Sequence, residues 1–366
     1  MEKLPFMLVQ HRKRQLNFPL LIPFLLLLIP TLKAQEASRD SSFRFFGVPL
    51  VFYSPDTKWG GGVAGIFTFY GNPLRSNVGF NVSFTQRRQL KIGIQFEWYR
   101  PRGGWRAYGE LGWYKYLYQY FGIGNTYPNR YKETYTAQYP RMRTTLLHNL
   151  GNRQLVGLRY SMDIYRIVEK ESIGEIAEHL IPGTDGGFSS GIGPVWLFDS
   201  RDNQFYPIKG SYVEVFLLNE SAITGSDFKY TRFSFDGARY FKLWRNKVLV
   251  IHGDVVLNWG KVPFFLLPQI GGTSRLRGYP DGKFRDRRML ILDTELRFPL
   301  VWRFKGVIFS GLGTVFNHLN ETIVWRPNLG VGLRYEFDRK QRLHLRLDYG
   351  MGKGNSGFYL TVGEAF

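Results

Sequence analysis

Cysteine is absent from the 366 residues, which removes disulfides, thiolate metal sites and thiol nucleophiles together. Long apolar runs are almost absent too. Beyond residue 32 no stretch approaches the roughly 20 apolar residues that a membrane helix needs, and mean hydropathy is −0.23. A bundle of membrane helices is therefore excluded. Aromatic-poor polar tracts are few, which argues against wholesale disorder. The six histidines show no nucleophile-elbow or metalloprotease spacing, and no Gly-Lys-Ser/Thr loop is present to cradle phosphate. The chain is expected to be no enzyme and to need neither cofactor nor metal.

What the sequence does have is aromatic, glycine and basic residues. Aromatics make up 17% and glycines number 41, which suits an all-β protein with exposed aromatic surface. The formal charge is +20. Its basic residues are spread over predicted strands and turns, so nucleic acid is not the expected partner. Arg285, Arg287 and Arg288 either line an interior, meet anionic lipid or form a solvated cluster.

Residues 1–34 read as an export signal. Lys3, Arg12, Lys13 and Arg14 give a basic start, Phe18 to Leu32 is almost wholly apolar, and Ala34 supplies the small residue at the cut. Pro23 and Pro30 interrupt the apolar run, which is too short for a spanning anchor. Residues 35–48 then form a short periplasmic segment before a transmembrane barrel over 49–366.

The barrel is inferred from period two. Leu90, Ile92, Ile94, Phe96 and Trp98 alternate with Lys91, Gly93, Gln95 and Glu97. Leu343, Leu345, Leu347 and Tyr349 alternate with Arg342, His344, Arg346 and Asp348. Each such strand has one greasy and one charged face. A soluble sandwich shares this period. The segments are longer than sandwich strands, their polar faces carry both signs of charge, and Trp59, Trp98, Trp105, Trp259, Trp302 and Trp325 fall at strand ends, where an interfacial girdle belongs. The spacing predicts sixteen strands, the first at 49–54 and the last at 356–366, forming a single transmembrane antiparallel β-barrel. Short connections alternate with long ones at 117–130, 166–186 and 260–287; among the short set, 201–209 is the exception. That parity puts both chain ends at the short-turn rim.

One loop carries a resemblance. Gly271-Gly272-Thr273-Ser274-Arg275-Leu276-Arg277-Gly278-Tyr279 resembles the sixth-loop motif of the BamA/TamA superfamily, the bacterial surface antigen barrels, where an Arg-Gly-Tyr/Phe tip folds back inside. Asp199-Ser200-Arg201-Asp202-Asn203 with Pro207 and Gly210 resembles that family's periplasmic turn, and Phe366 matches the terminal aromatic of its assembly signal. The resemblance implies that Arg277 pairs in the lumen with Glu295, which alternation turns inward beside Asp293. A second acid expected on the next strand is replaced by Gly311, so the pairing is expected to rest more heavily on Glu295. Family members that insert or export proteins carry periplasmic POTRA domains. Residues 35–48 are too few for one, so the chain is similar to a barrel-only, POTRA-less branch.

The resemblance implies a bacterial outer-membrane protein acting in envelope assembly or protein translocation through its lumen or a lateral gate. Its partners would be outer-membrane lipid, with other envelope-assembly proteins or an unfolded client. The alternative is a passive pore or structural barrel without transport activity. Short first and last strands, with Glu364 at outward parity, reflect either weak pairing at a gate or strand boundaries placed a few residues off.

Overall fold

The alternating segments form strands in a computed structural model of the chain, which describes residues 43–54, 58–69, 76–100, 104–126, 132–318 and 320–366. The expected signal, 1–34, and residues 35–42 of the short segment lie outside the described residues. The strands are β1 (Phe43–Ser54), β2 (Lys58–Phe69), β3 (Ser76–Thr85), β4 (Leu90–Arg100), β5 (Trp105–Tyr120), β6 (Glu133–Gly151), β7 (Gln154–Lys170), β8 (Gly187–Asp199) and β9 (Gly210–Glu220). They continue with β10 (Lys229–Lys242), β11 (Val248–Lys261), β12 (Gln269–Ile270), β13 (Phe284–Arg285), β14 (Arg288–Pro299), β15 (Phe304–Phe316), β16 (Arg326–Asp338), β17 (Leu343–Gly352) and β18 (Asn355–Val362).

Sixteen of these make one antiparallel sheet in chain order, and β12 with β13 forms a separate two-stranded ribbon inside the longest loop. The sixteen match the expected strands in number and order, but β5 and β7 run on to Tyr120 and Lys170, beyond the expected 116 and 165, and the first and last strands differ. β1 starts at Phe43 rather than 49, because residues 43–48 pair with β2 from Phe69 back to Ala64. β18 stops at Val362, short of 366, because Gly363 takes a left-handed φ of 87° and turns the chain away.

Parity decides what each face meets. On β14, Met289, Ile291, Asp293, Glu295 and Arg297 are buried inward, whereas Leu292 between them is half exposed. Phe84, Leu158, Ile308 and Val331 stand out from β3, β7, β15 and β16 in the same way. An apolar band of this kind is unfavourable in water by about 25 cal/mol per Å² and is matched by lipid. The six expected girdle tryptophans are all exposed. Trp98, Trp105 and Trp302 lie at the short-turn rim, and Trp59, Trp259 and Trp325 at the long-loop rim.

Among the described residues β1 and β18 share no ladder. Side chains nonetheless draw the first hairpin against the β16–β17 turn: Arg44 pairs with Asp338 at 3.1 Å, Thr68 donates to Gln341 at 3.1 Å, and Phe46 stacks on Phe337 at 4.2 Å. At the opposite rim β5, β6 and β7 run to 16, 19 and 17 residues, longer than their apolar span requires. Their projecting ends bury Tyr120, Tyr135, Tyr139 and Tyr165 against Phe264 and Leu266 of the longest loop.

Leu292→Arg places a charge in the middle of the lipid-facing band and should lower folding stability in bilayers by about 2–4 kcal/mol, whereas Phe84→Arg at a strand end should cost about 0–1 kcal/mol. Urea titration of refolding into lipid vesicles measures both. Equal costs at the two depths would contradict the band.

Candidate functional site

The loop between β11 and β14 enters through the β12–β13 ribbon and returns the same way, so its tip is carried into the sheet's interior. Gly271 N–H donates to the Arg275 carbonyl at 2.9 Å and Gly272 N–H to that of Tyr279 at 3.2 Å, closing the turn. Leu276 is fully buried with Val256, Ile291 and Val315, an apolar patch on the inner faces of β11, β14 and β15. This docking had no signal in the polar-inward pattern. Its sequence trace is the break in that pattern at Met289 and Ile291, which occupy inward positions.

Arg277, only 1% exposed, is held by two acids. Its Nη2 donates to Glu295 Oε1 at 2.5 Å and its Nη1 to Asp348 Oδ2 at 2.5 Å. The guanidinium also lies 3.6 Å from the centre of the Phe309 ring. Arg277 thus reaches Glu295, and a second acid comes from β17 rather than from position 311. Gly311 sits opposite Asp293 in the β14–β15 register, and a Cβ there would lie 2.1 Å from the Asp293 carboxylate. The missing side chain leaves room for Asp293, which lies 3.9 Å from His252 and has no recorded contact with Arg277.

Around this pair the charges form a continuous network. Arg297 donates to Glu295 at 2.9 Å, and Arg334 bonds Asp348 at 2.5 Å and Glu364 at 2.8 Å. Glu364 thus points inward, against its expected outward parity, because the turn at Gly363 has ended the strand's alternation. Arg297, Arg334, Glu295 and Asp348 are all fully buried. Buried charges are tolerated when each has partners, and these do.

Backbone approach sets the depth of the tip. Gly278 has φ 115°, and a Cβ on it would fall 2.7 Å from Met351 backbone. A Cβ on Gly350 would likewise meet Arg277 backbone at 2.7 Å. Two glycines facing each other let the tip lie directly on β17. Gly278 N–H donates to the Tyr359 hydroxyl at 2.9 Å, and Asn328 donates to the Arg277 carbonyl at 2.8 Å. Tyr279 is buried against Phe284 and donates its hydroxyl to the Pro327 carbonyl at 2.8 Å.

From the short-turn side the network is covered by the one long connection at that rim, residues 200–209. Tyr206 packs 4.4 Å from His344 and beneath Arg297 and Lys305. The strap is shaped by Asn203, whose side chain accepts from Phe205 and Tyr206 N–H, and is tied across to the β16–β17 turn by Arg342 donating to Asp202 at 2.7 Å. Burial pushes the Asp202 carboxyl up, but the Ile208 N–H, the Arg342 guanidinium and the Lys209 N–H outweigh it and hold the group below the usual carboxylate range. The tie is therefore present at neutral pH and is lost only as pH falls through that depressed value. Phe366 stacks on His252 at 4.3 Å and packs against the cluster of Ala238, Tyr240, Val248 and Val250.

A model of the Omp85 superfamily domain matches residues 68–366. Among solved structures, BamA from Haemophilus ducreyi lacking POTRA domains 1–3 superposes with a TM-score of 0.56 at 17% identity, over 88% of this chain and 69% of that one. CdiB from Escherichia coli gives 0.58 at 11% identity, over 89% and 62%. CdiB from Acinetobacter baumannii gives 0.54 at 12%, over 87% and 59%. The chain thus spans less than two thirds of either CdiB chain, and likeness at these identities concerns the fold.

Because one guanidinium serves two buried acids, Arg277→Ala should destabilise more than Glu295→Ala or Asp348→Ala. Breaking one side of a buried pair costs about 3–5 kcal/mol. Double-mutant cycles should give coupling for both Arg277–Glu295 and Arg277–Asp348. Urea-induced loss of the compact, heat-modifiable form on gels supplies the free energies. Coupling to Glu295 with strict additivity at Asp348 would contradict the shared guanidinium.

Proposed function

The chain belongs to the Omp85 superfamily, and from that premise we propose that it is an outer-membrane barrel that assembles other membrane proteins or translocates polypeptide, with the route running between β1 and β18. The observation that carries the reading is the strand order, in which these two edges share no ladder among the described residues. An edge with free N–H and C=O groups is a template for another strand. β1 offers twelve residues of backbone and β18 only eight, so an incoming strand finds a longer partner in β1 than β18 would give it.

The free edges support a lateral route, while the interior is only partly occupied: a cavity of about 970 Å³ lined by Tyr212, Asp236, His252, Asp281 and Phe366 remains inside the sheet. The Arg277 network, the 200–209 strap and Phe366 all occupy space that a passive pore would keep open. In this reading Arg277, Gly278 and Tyr279, seated on Glu295 and Asp348, brace the last strands while the first moves, and Phe366 serves the chain's own assembly as a terminal signal. The clients are unfolded outer-membrane polypeptides. Other envelope-assembly proteins deliver them at the short-turn rim, and outer-membrane lipid surrounds the barrel.

The test is refolding of a urea-unfolded outer-membrane barrel into vesicles that contain the purified protein. Acceleration over empty vesicles is expected, with small flickering conductance in planar bilayers. Cysteines at Phe46 and Phe337, whose rings touch, tether β1 when cross-linked and should abolish the acceleration reversibly. A large steady conductance without acceleration is the passive-pore result and would overturn the proposal.

A further inference from the structure

Two turns at the short-turn rim share a sequence. Leu243-Trp244-Arg245-Asn246-Lys247 joins β10 to β11, and Val301-Trp302-Arg303-Phe304-Lys305 joins β14 to β15. Both read aliphatic-Trp-Arg-x-Lys. Each is closed by an i to i+4 backbone bond, Leu243 N–H to the Lys247 carbonyl at 2.8 Å and Leu300 N–H to that of Phe304 at 3.0 Å, so the second turn closes one residue earlier relative to the motif. The first turn carries two non-glycine residues at positive φ, Arg245 at 54° and Asn246 at 57°, and the second carries one, Trp302 at 55°.

The strand order β10-β11-β14-β15 sets these turns two strand spacings apart, about 10 Å. Trp244 and Trp302 are 69% and 70% exposed, and Leu300 and Val301 between them are exposed as well. Below them the lipid-facing residues Phe241, Ile251, Leu292 and Ile308 continue the same apolar surface. The tryptophans therefore extend the lipid-facing band past the ends of the strands.

The charge here is of one sign. Residues 242–247 and 300–305 contain no acid. Lys305 is drawn inward to Glu336 at 3.2 Å. Lys242, Arg245, Lys247 and Arg303 make no ion pair among the described residues. Two of these cations lie against the indoles, Lys247 at 5.7 Å from Trp244 and Arg303 at 5.2 Å from Trp302. On the adjacent strap and on the adjacent β16–β17 turn, Arg201 and Arg342 are paired with Asp199 and Asp202. Arg153, Lys209, Arg339 and Lys340 at this rim are also without an ion pair among the described residues, so what sets the two turns apart is that their free cations stand beside exposed tryptophans.

We propose that the two turns form a binding site for the phosphate of an anionic phospholipid in the leaflet at the short-turn rim. The indoles enter the headgroup region, where an amphipathic ring has both an apolar and a polar neighbour. Arg245 and Arg303 approach the phosphate from two sides with planar donors, and Lys242 and Lys247 add charge. Such a site fixes the height and tilt of β10–β15 in the membrane, the wall to which the tip of the motif loop is anchored.

The full chain is reconstituted in nanodiscs of equimolar phosphatidylcholine and phosphatidylglycerol, and the lipid that stays bound after detergent extraction is weighed by native mass spectrometry. Retained phosphatidylglycerol should exceed phosphatidylcholine several-fold. Reversing Lys242, Arg245, Lys247 and Arg303 to Glu should return the ratio to that of the bulk, while Arg87→Glu with Arg88→Glu at the other rim should leave it unchanged. Trp244→Ala with Trp302→Ala should reduce the total lipid retained and keep the preference. Heat-modifiable mobility on gels verifies that each variant is folded. Retention at bulk composition by the unaltered chain would overturn the site, as would a preference that survives the four reversals. A soluble acidic protein that binds these turns in place of lipid would give the first of those results.

Discussion

A single guanidinium shared between two strands is the constraint on which the interior depends. Arg277 reaches Glu295 on β14 and Asp348 on β17, strands separated in the sheet by β15 and β16. A bond to one acid would fix the loop to one strand. Bonds to both fix the chord across four strands, and with it their curvature. Without the arginine each buried carboxylate would keep only its second partner, Arg297 for Glu295 and Arg334 for Asp348. Arg297 and Arg334 then become partners of the same acids, Glu364 of Arg334, and the Tyr206 strap and Phe366 shield the set from water.

This arrangement explains why the fold was legible in the sequence to an unusual degree. Period two with long strands leaves little freedom, since a shift by one residue would put Asp293, Glu295 and Arg297 into lipid. The sixteen strands and the girdle tryptophans follow from that. What alternation cannot supply is contact between strands that are not neighbours. Asp348 was legible as inward-facing, but nothing in local spacing joins it to Arg277, seventy-one residues away. The resemblance offered position 311 for the second acid, and glycine there is explained only once Asp293 is seen to need the space.

Glu364 marks a second limit. Its expected outward parity assumed that the strand ran to its end, and one glycine at positive φ breaks the assumption. Gly278 and Gly350 are the opposite case: their side chains are missing from two segments distant in sequence for one reason, the close approach of two backbones. A glycine in a strand signals such an approach without naming its partner.

The central claim is that charge pairing, rather than apolar packing alone, holds the loop tip inside. Hydrogen–deuterium exchange of the segment spanning residues 271–281 tests it most directly, because the Gly278 N–H is buried on the Tyr359 hydroxyl only while the tip is seated. In the unaltered chain this segment should exchange as slowly as the flanking strands β11 and β14. Glu295→Gln together with Asp348→Asn keeps size and hydrogen-bonding capacity but removes the charge, and should release the segment while the strands stay protected. Equal protection in both proteins would contradict the account and leave the Leu276 patch as what holds the loop.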